Sequence, residues 1–163
     1  AQEVCGGGDN DCDGLVDEYN PPVNVDCGNC KMFERDGRLY HFCSSNKNWG
    51  AAQTVCEGRN AVLAKDGDQG VHDWMMARLS QINAGSGGWW IGLRTPSGNH
   101  ADFEWRDGSK LGDFKPWVAL YPSLFGGTDC VRVASPATPG IGEQWTDAGC
   151  NDSRPSICEG PLP

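Results

Sequence analysis

Cys30 and Cys43 stand at equal distances on either side of Asp36-Gly37, and no other feature constrains the fold of this chain as tightly. An Asp-Gly pair flanked by alternating apolar residues is the strongest short signal for a two-residue hairpin turn. Met32-Phe33-Glu34-Arg35 before it and Arg38-Leu39-Tyr40-His41-Phe42 after it supply that alternation. In such a hairpin Cys30 falls directly opposite Cys43, at a non-hydrogen-bonded pair, where side chains come closest. The spacing suits a disulfide.

Nine cysteines among Gly-rich loops place the chain in an oxidising compartment. Nine is odd, so one thiol is left over or bonds to another chain. No apolar stretch reaches the roughly 20 residues of a membrane helix, and Ala1 reads as a processed or cloned start. The expectation is a secreted or cell-surface protein with no membrane insertion.

The charge is distributed unevenly. Of the formal −9, residues 1–30 hold Glu3, Asp9, Asp11, Asp13, Asp17, Glu18 and Asp26, with no Lys or Arg. That leaves residues 31–163 near neutral and without a dense basic cluster, so nucleic acid is excluded as an expected partner. In Asp9-Asn10-Asp11-Cys12-Asp13-Gly14-Leu15-Val16-Asp17-Glu18, crowded carboxylates repel one another unless a cation sits among them. Oxygen ligands at loop positions one, three and five, glycine at six and an acid at nine are how a calcium loop wraps its ion. The expected cofactor is therefore Ca2+. Its ligands are the side chains of Asp9, Asp11, Asp13 and Asp17, the carbonyl of Leu15, and Glu18 as the closing carboxylate. Asn20 holds position twelve, where a helix–loop–helix site has its bidentate acid, so the loop is only EF-hand-like.

Tyr19 to Asp26, with Pro21-Pro22 inside, reads as a linker. The expected organisation is an acidic arm over 1–26 and a domain over 27–163. A helix is predicted from Asn48, a candidate N-cap, with Trp49, Ala52 and Cys56 on one face. A second follows Asp68, with Val71, Trp74, Met75, Leu79 and Ile82 on its stripe. Short strands are predicted at 89–93, 103–105, 130–133, 144–146 and 157–159. Residues 110–128 show little periodicity, and long segments of that kind are often functional.

This order of elements resembles a C-type lectin-like domain over roughly residues 31–160. The residues that carry the likeness are Trp49, Ala52 and Cys56, then Trp90-Ile91-Gly92-Leu93, then Phe103-Glu104-Trp105-Arg106-Asp107-Gly108-Ser109. Asp129-Cys130-Val131, Trp145-Thr146-Asp147 with Cys150, and Ile157-Cys158-Glu159 complete it. The resemblance implies an α+β fold with two helices, short antiparallel strands and a long loop. It also implies disulfides Cys56–Cys158 and Cys130–Cys150, and a cis bond before Pro122. Leu39 stands where the family's hairpin bridge usually has a cysteine, with Cys43 four residues later. The acidic segment in turn resembles a motif of secreted bacterial proteins, which is sometimes followed by Cys-Gly-x-Cys, here Cys27 to Cys30. If that motif is one unit, Cys5, Cys12, Cys27 and Cys30 pair internally and Cys43 is free. Both schemes stay open on the residues alone.

Sugar-binding members of the family hold calcium with a Glu-Pro-Asn or Gln-Pro-Asp triplet, a further Glu, and Asn-Asp after the tryptophan. At those positions stand Tyr121-Pro122-Ser123, Thr128 and Thr146-Asp147. Only Asp147 remains a carboxylate, too few hard ligands to displace the hydration shell of calcium. Aromatic loop residues Trp117, Tyr121 and Phe125 could stack on a sugar or dock a protein, although Trp117 also suits the loop's own core. The ligand-facing candidates are Trp117, Tyr121, Asp129 and Asp147. Trp90 is expected in the core and its neighbour Trp89 on the other side of the strand, facing outward. His41, His72 and His100 show no metal or triad spacing, and no nucleophile–base pair is legible, so an enzyme is not expected. The expected function is recognition of a surface glycan by a non-standard site; the alternative is protein–protein adhesion or display, with calcium stiffening the arm.

Overall fold

The computed structural model describes residues 29–123 and 126–162, and the backbone of 25–27. The six calcium-ligand candidates Asp9, Asp11, Asp13, Leu15, Asp17 and Glu18, and also Phe125, lie outside the described residues.

The hairpin forms as the turn chemistry requires. Strands β2 (Cys30–Arg35) and β3 (Arg38–Lys47) pair antiparallel with Cys30 opposite Cys43. Asp36 and Gly37 have φ of 50° and 73°, the doubly left-handed geometry of a type I′ turn. Cys30 and Cys43 are bonded, with Cα atoms 3.9 Å apart. That bond removes the scheme in which Cys30 pairs within the arm and leaves Cys43 free. A short β1 (Val25–Cys27) adds to the outer edge of β2, so the linker expected over 19–26 gives way to sheet at Val25. An edge strand suits this segment because Pro21-Pro22 lies just before it and not within it.

Helix α1 (Trp49–Glu57) begins where Asn48 accepts a hydrogen bond from the Ala51 amide, and α2 (Gln69–Gln81) where Asp68 accepts one from Val71. The remaining strands are β4 (Val62–Leu63), β5 (Gly88–Arg94), β6 (Glu104–Trp105), β7 (Cys130–Ala134), β8 (Trp145–Ala148) and β9 (Arg154–Pro161). The sheet runs β1-β2-β3-β9-β5-β7-β8, with β4 on β9 and β6 on β5. The last strand, β9, lies between β3 and β5, antiparallel to the first and parallel to the second.

Alternation along β5 divides the interior into two cores. Trp89, Ile91 and Leu93 face the α2 side, with Phe33, Tyr40, Phe42, Met75, Leu79, Trp105, Val131, Val133 and Trp145. Trp90 faces the α1 side, with Trp49, Ala52, Leu63 and the cystines. Trp89 is therefore buried, not outward-facing as its alternation suggested, because β5 is a central strand covered on both sides. Cys56–Cys158 ties α1 to β9 across 102 residues, and Cys130–Cys150 ties β7 to the segment after β8. Gly92 has a specific cause: a Cβ there would lie 2.3 Å from the Leu63 carbonyl oxygen, so only glycine lets β4 pass this close.

Candidate functional site

Trp145 is the foundation on which the loops stand. Its indole is fully buried, edge-on to Trp105, Phe114 and Trp117 at centroid distances of 5.6, 5.8 and 5.4 Å. The ring N–H donates to the Asp66 carboxylate at 2.7 Å, and the backbone exchanges hydrogen bonds with Pro116 and Val118. The long segment is thus clamped along one edge to β8. Trp117 is part of the clamp: half-buried, it packs its ring against Phe103 and Trp145. A loop ring next to an aromatic cluster gains by burial.

One residue beyond Thr146, the Asp147 carboxylate points toward the loop. It accepts from the Ser123 amide at 2.8 Å and from the Ser123 hydroxyl at 2.6 Å, and that hydroxyl also meets Thr128 at 2.9 Å. The Tyr121–Pro122 bond just before is cis. Loop 95–101 closes the other side, where His100 Nδ1 bonds the Ser123 carbonyl. His100 Nε2 lies 3.5 Å from Asp129 Oδ1, and His100 Nδ1 lies 4.0 Å from Asp147 Oδ2.

The residues at the family's calcium position do not fit that ion. Both oxygens of Asp147 are engaged by Ser123, and Ser123 and Thr128 offer only neutral oxygens. Among the described residues no group of three or more His, Cys, Asp or Glu is arranged to hold a metal. Hydrogen bonds within the chain hold the loop where an ion would otherwise do so.

Beside this network opens a cleft of about 470 Å³, lined by Gly98, Asn99, His100, Ala101, Pro122 and Gly126. Next to His100, which lines it, His100 Nε2 and Asp129 Oδ1 lie buried 3.5 Å apart, in ion-pair contact with each other but without a hydrogen bond among the described residues. Buried polar atoms without a hydrogen bond are costly and mark a place where an external group can bond. Asp129 and Asp147 therefore belong to one neighbourhood, Tyr121 borders it, and Trp117 underlies it. His100 is the residue that sequence reasoning missed. Its partners lie 23, 29 and 47 positions away, and no local pattern carries such a relation. The outer rim is apolar: Leu120 is 97% exposed and Tyr121 40%.

Two further histidines serve the scaffold. His72 is buried with Nδ1 2.8 Å from Asp66 Oδ2. Burial disfavours its charged form, but the hydrogen bond and field of Asp66 more than offset this and hold its pKa above the ordinary imidazole value. Burial likewise holds the Asp66 carboxyl above the usual range, against the pull of His72 and Trp145. His41, buried and facing the Arg59 guanidinium, which donates to its Nδ1 at 3.0 Å, is pushed down to about 4.

Comparison with known proteins agrees with this architecture. The family model described as Lectin C-type domain matches residues 45–160, leaving the acidic segment outside the match. C-type lectin domain family 10 member A of Mus musculus is 28% identical over 152 residues, covering 89% of this chain and 45% of that protein. The chain thus spans less than half the length of that relative. The structure titled human lithostathine superposes with a TM-score of 0.71 at 23% identity, over 80% of this chain and 96% of the other. The structure titled SPL-1 – GlcNAc complex superposes with a TM-score of 0.67 at 28% identity, over 78% of this chain and 90% of the other. By its matched family model, its sheet topology and its half-chain-spanning cystine, this chain belongs to the C-type lectin domain family.

Proposed function

We propose that this domain is an extracellular glycan-recognition module whose loop site works without calcium, while the acidic arm over 1–26 carries a Ca2+ of its own. The observation that carries the reading is the cleft lined by His100, whose Nε2 faces Asp129 Oδ1 at 3.5 Å with neither atom hydrogen-bonded among the described residues. A sugar diol matches them: one hydroxyl donates to Asp129, and the imidazole nitrogen donates to or accepts from its neighbour. Tyr121 stands at the rim, where a sugar face can stack. Kinship with a structure titled as a GlcNAc complex supports the substrate class. The arm's calcium rests on the ligand pattern of Asp9, Asp11, Asp13, Leu15, Asp17 and Glu18 and stiffens the approach to the domain. Three described cystines fit a secreted or cell-surface setting, and no described helix is long and apolar enough to cross a membrane. The module binds and does not catalyse.

A glycan array probed with the full chain and with His100→Gln and Asp129→Asn tests the site. The reading expects defined hits that both variants lose; unchanged hits in both variants would refute it. Protein–protein adhesion is the second reading, favoured by Leu120, which stands almost wholly in solvent with φ of 69°. An array without hits, together with a protein ligand lost in Leu120→Ser, would select it.

A further inference from the structure

A second polar cluster lies on the sheet face that carries Trp90. Register places Ser156, Trp90, Arg132 and Thr146 in one rung across β9, β5, β7 and β8. Directly opposed residues share a face, so Arg132 projects on the Trp90 side. Arg154 reaches the same indole from β9, with its guanidinium carbon 5.7 Å from the ring centroid.

Arg132 is held and yet unneutralised. Its stem passes over Gly88, where a Cβ would lie 2.3 Å from Arg132 Cδ and 3.1 Å from Cγ. Any side chain at that position would evict the stem. Its Nε donates to the buried Thr146 hydroxyl at 2.7 Å, a neutral partner. No carboxylate among the described residues forms an ion pair with it, whereas Arg154 has Asp152 at 3.0 Å. Burial and the neighbouring charge of Arg154 both push the Arg132 pKa down; Tyr121 and Asp152 are the groups that oppose this. A half-buried guanidinium beside a second one, with Asp152 the one carboxylate acting on it and already bonded to Arg154, is an unfavourable arrangement that an external anion relieves. Guanidinium is also the group whose geometry best matches a carboxylate or sulfate.

We infer that Arg132, backed by Arg154 and bordered by Tyr121, is an anion seat, and that the glycan this domain takes is acidic, its carboxylate or sulfate lying on Arg132. This rests on the glycan reading above. The described body has no large positive field, so the seat acts by local contact and not by long-range steering.

The experiment compares the full chain, Arg132→Gln and Arg154→Gln for binding to an oligogalacturonate, its fully methyl-esterified neutral form, and a heparin-derived oligosaccharide. The seat predicts that wild type prefers an acidic ligand over the neutral form by at least about tenfold. It predicts that Arg132→Gln removes the preference while leaving the neutral form's affinity unchanged, and that added NaCl weakens only the acidic ligands. Preference for oligogalacturonate assigns a carboxylate, for heparin a sulfate. Arg154→Gln predicts a partial loss and keeps the test open if Arg132→Gln does not fold. Equal binding of neutral and acidic forms overturns the seat and leaves glycan recognition standing. Absence of binding to any glycan overturns both. A lowered melting temperature in Arg132→Gln with unchanged preference shows a structural arginine only and overturns the seat.

Discussion

His72 and Asp66 meet 2.8 Å apart inside the domain, and the same carboxylate oxygen receives the indole N–H of Trp145 at 2.7 Å. One buried acid thereby joins α2 to the strand that positions Asp147. The loop site rests on this junction.

Since the folded His72 pKa lies above the ordinary value of 6.5, folding takes up a proton there. The stabilisation is complete below about pH 6.5 and is lost as pH rises through the raised folded value. Melting temperature should therefore fall as pH rises above about 6.5. His72→Phe should abolish that limb and cost about 3–5 kcal/mol at pH 6, because Asp66 is left buried beside Trp145 without its charged partner. Chemical denaturation across pH 5–9 checks both.

His41 has the opposite sign. With its folded pKa pushed down to about 4, the unfolded chain binds the proton first. Stability is unaffected above about pH 6.5 and declines as pH falls from there toward 4, by up to about 3 kcal/mol. His41→Phe should flatten this acid limb and leave the alkaline one intact. A double variant lacking both limbs would show that the two histidines act independently.

Cys56–Cys158 encloses 102 residues of sequence separation. In the chain-entropy model its loss lowers stability by about 4–5 kcal/mol, an upper figure in practice. Cys56→Ala with Cys158→Ala should show this in urea unfolding. Cys30→Ala with Cys43→Ala, closing only 13 residues, should cost less, about 2–3 kcal/mol.

Calcium should bind at the arm alone. Titration of the full chain should show one site, lost in Asp11→Asn combined with Asp13→Asn, and unchanged in Asp147→Asn. A second calcium site removed by Asp147→Asn would mean that the loop network opens to admit the ion.

Local chemistry was readable in the residues, and long-range relations were not. Asp36-Gly37 dictated the hairpin register down to the Cys30–Cys43 pair, and Asn48 and Asp68 marked both helix starts, because caps and turns depend on near neighbours. The α2 stripe was legible in part: Met75 and Leu79 are buried, with Val71, Trp74 and Ile82 packed beside them. His72 and Met76, also buried, were not anticipated. A histidine can enter that face only because Asp66 awaits it, and such a partner is invisible to periodicity. Trp89 was misjudged for a related reason: alternation tells which side a residue takes, not whether that side is covered. The His100–Asp129–Asp147 neighbourhood joins the 95–101 loop, the residue before β7 and strand β8, and has no local signature. Family likeness placed Asp129 and Asp147 near the site, and only the fold brought His100 to them.

Calcium independence of the loop site is the central claim, and chelation tests it most directly. Affinity for the best array glycan, measured by titration calorimetry in calcium and again in excess EDTA, should agree within about twofold, since Ser123 and not an ion engages Asp147. Complete loss of glycan binding in EDTA, in a protein whose melting temperature stays unchanged, would contradict it.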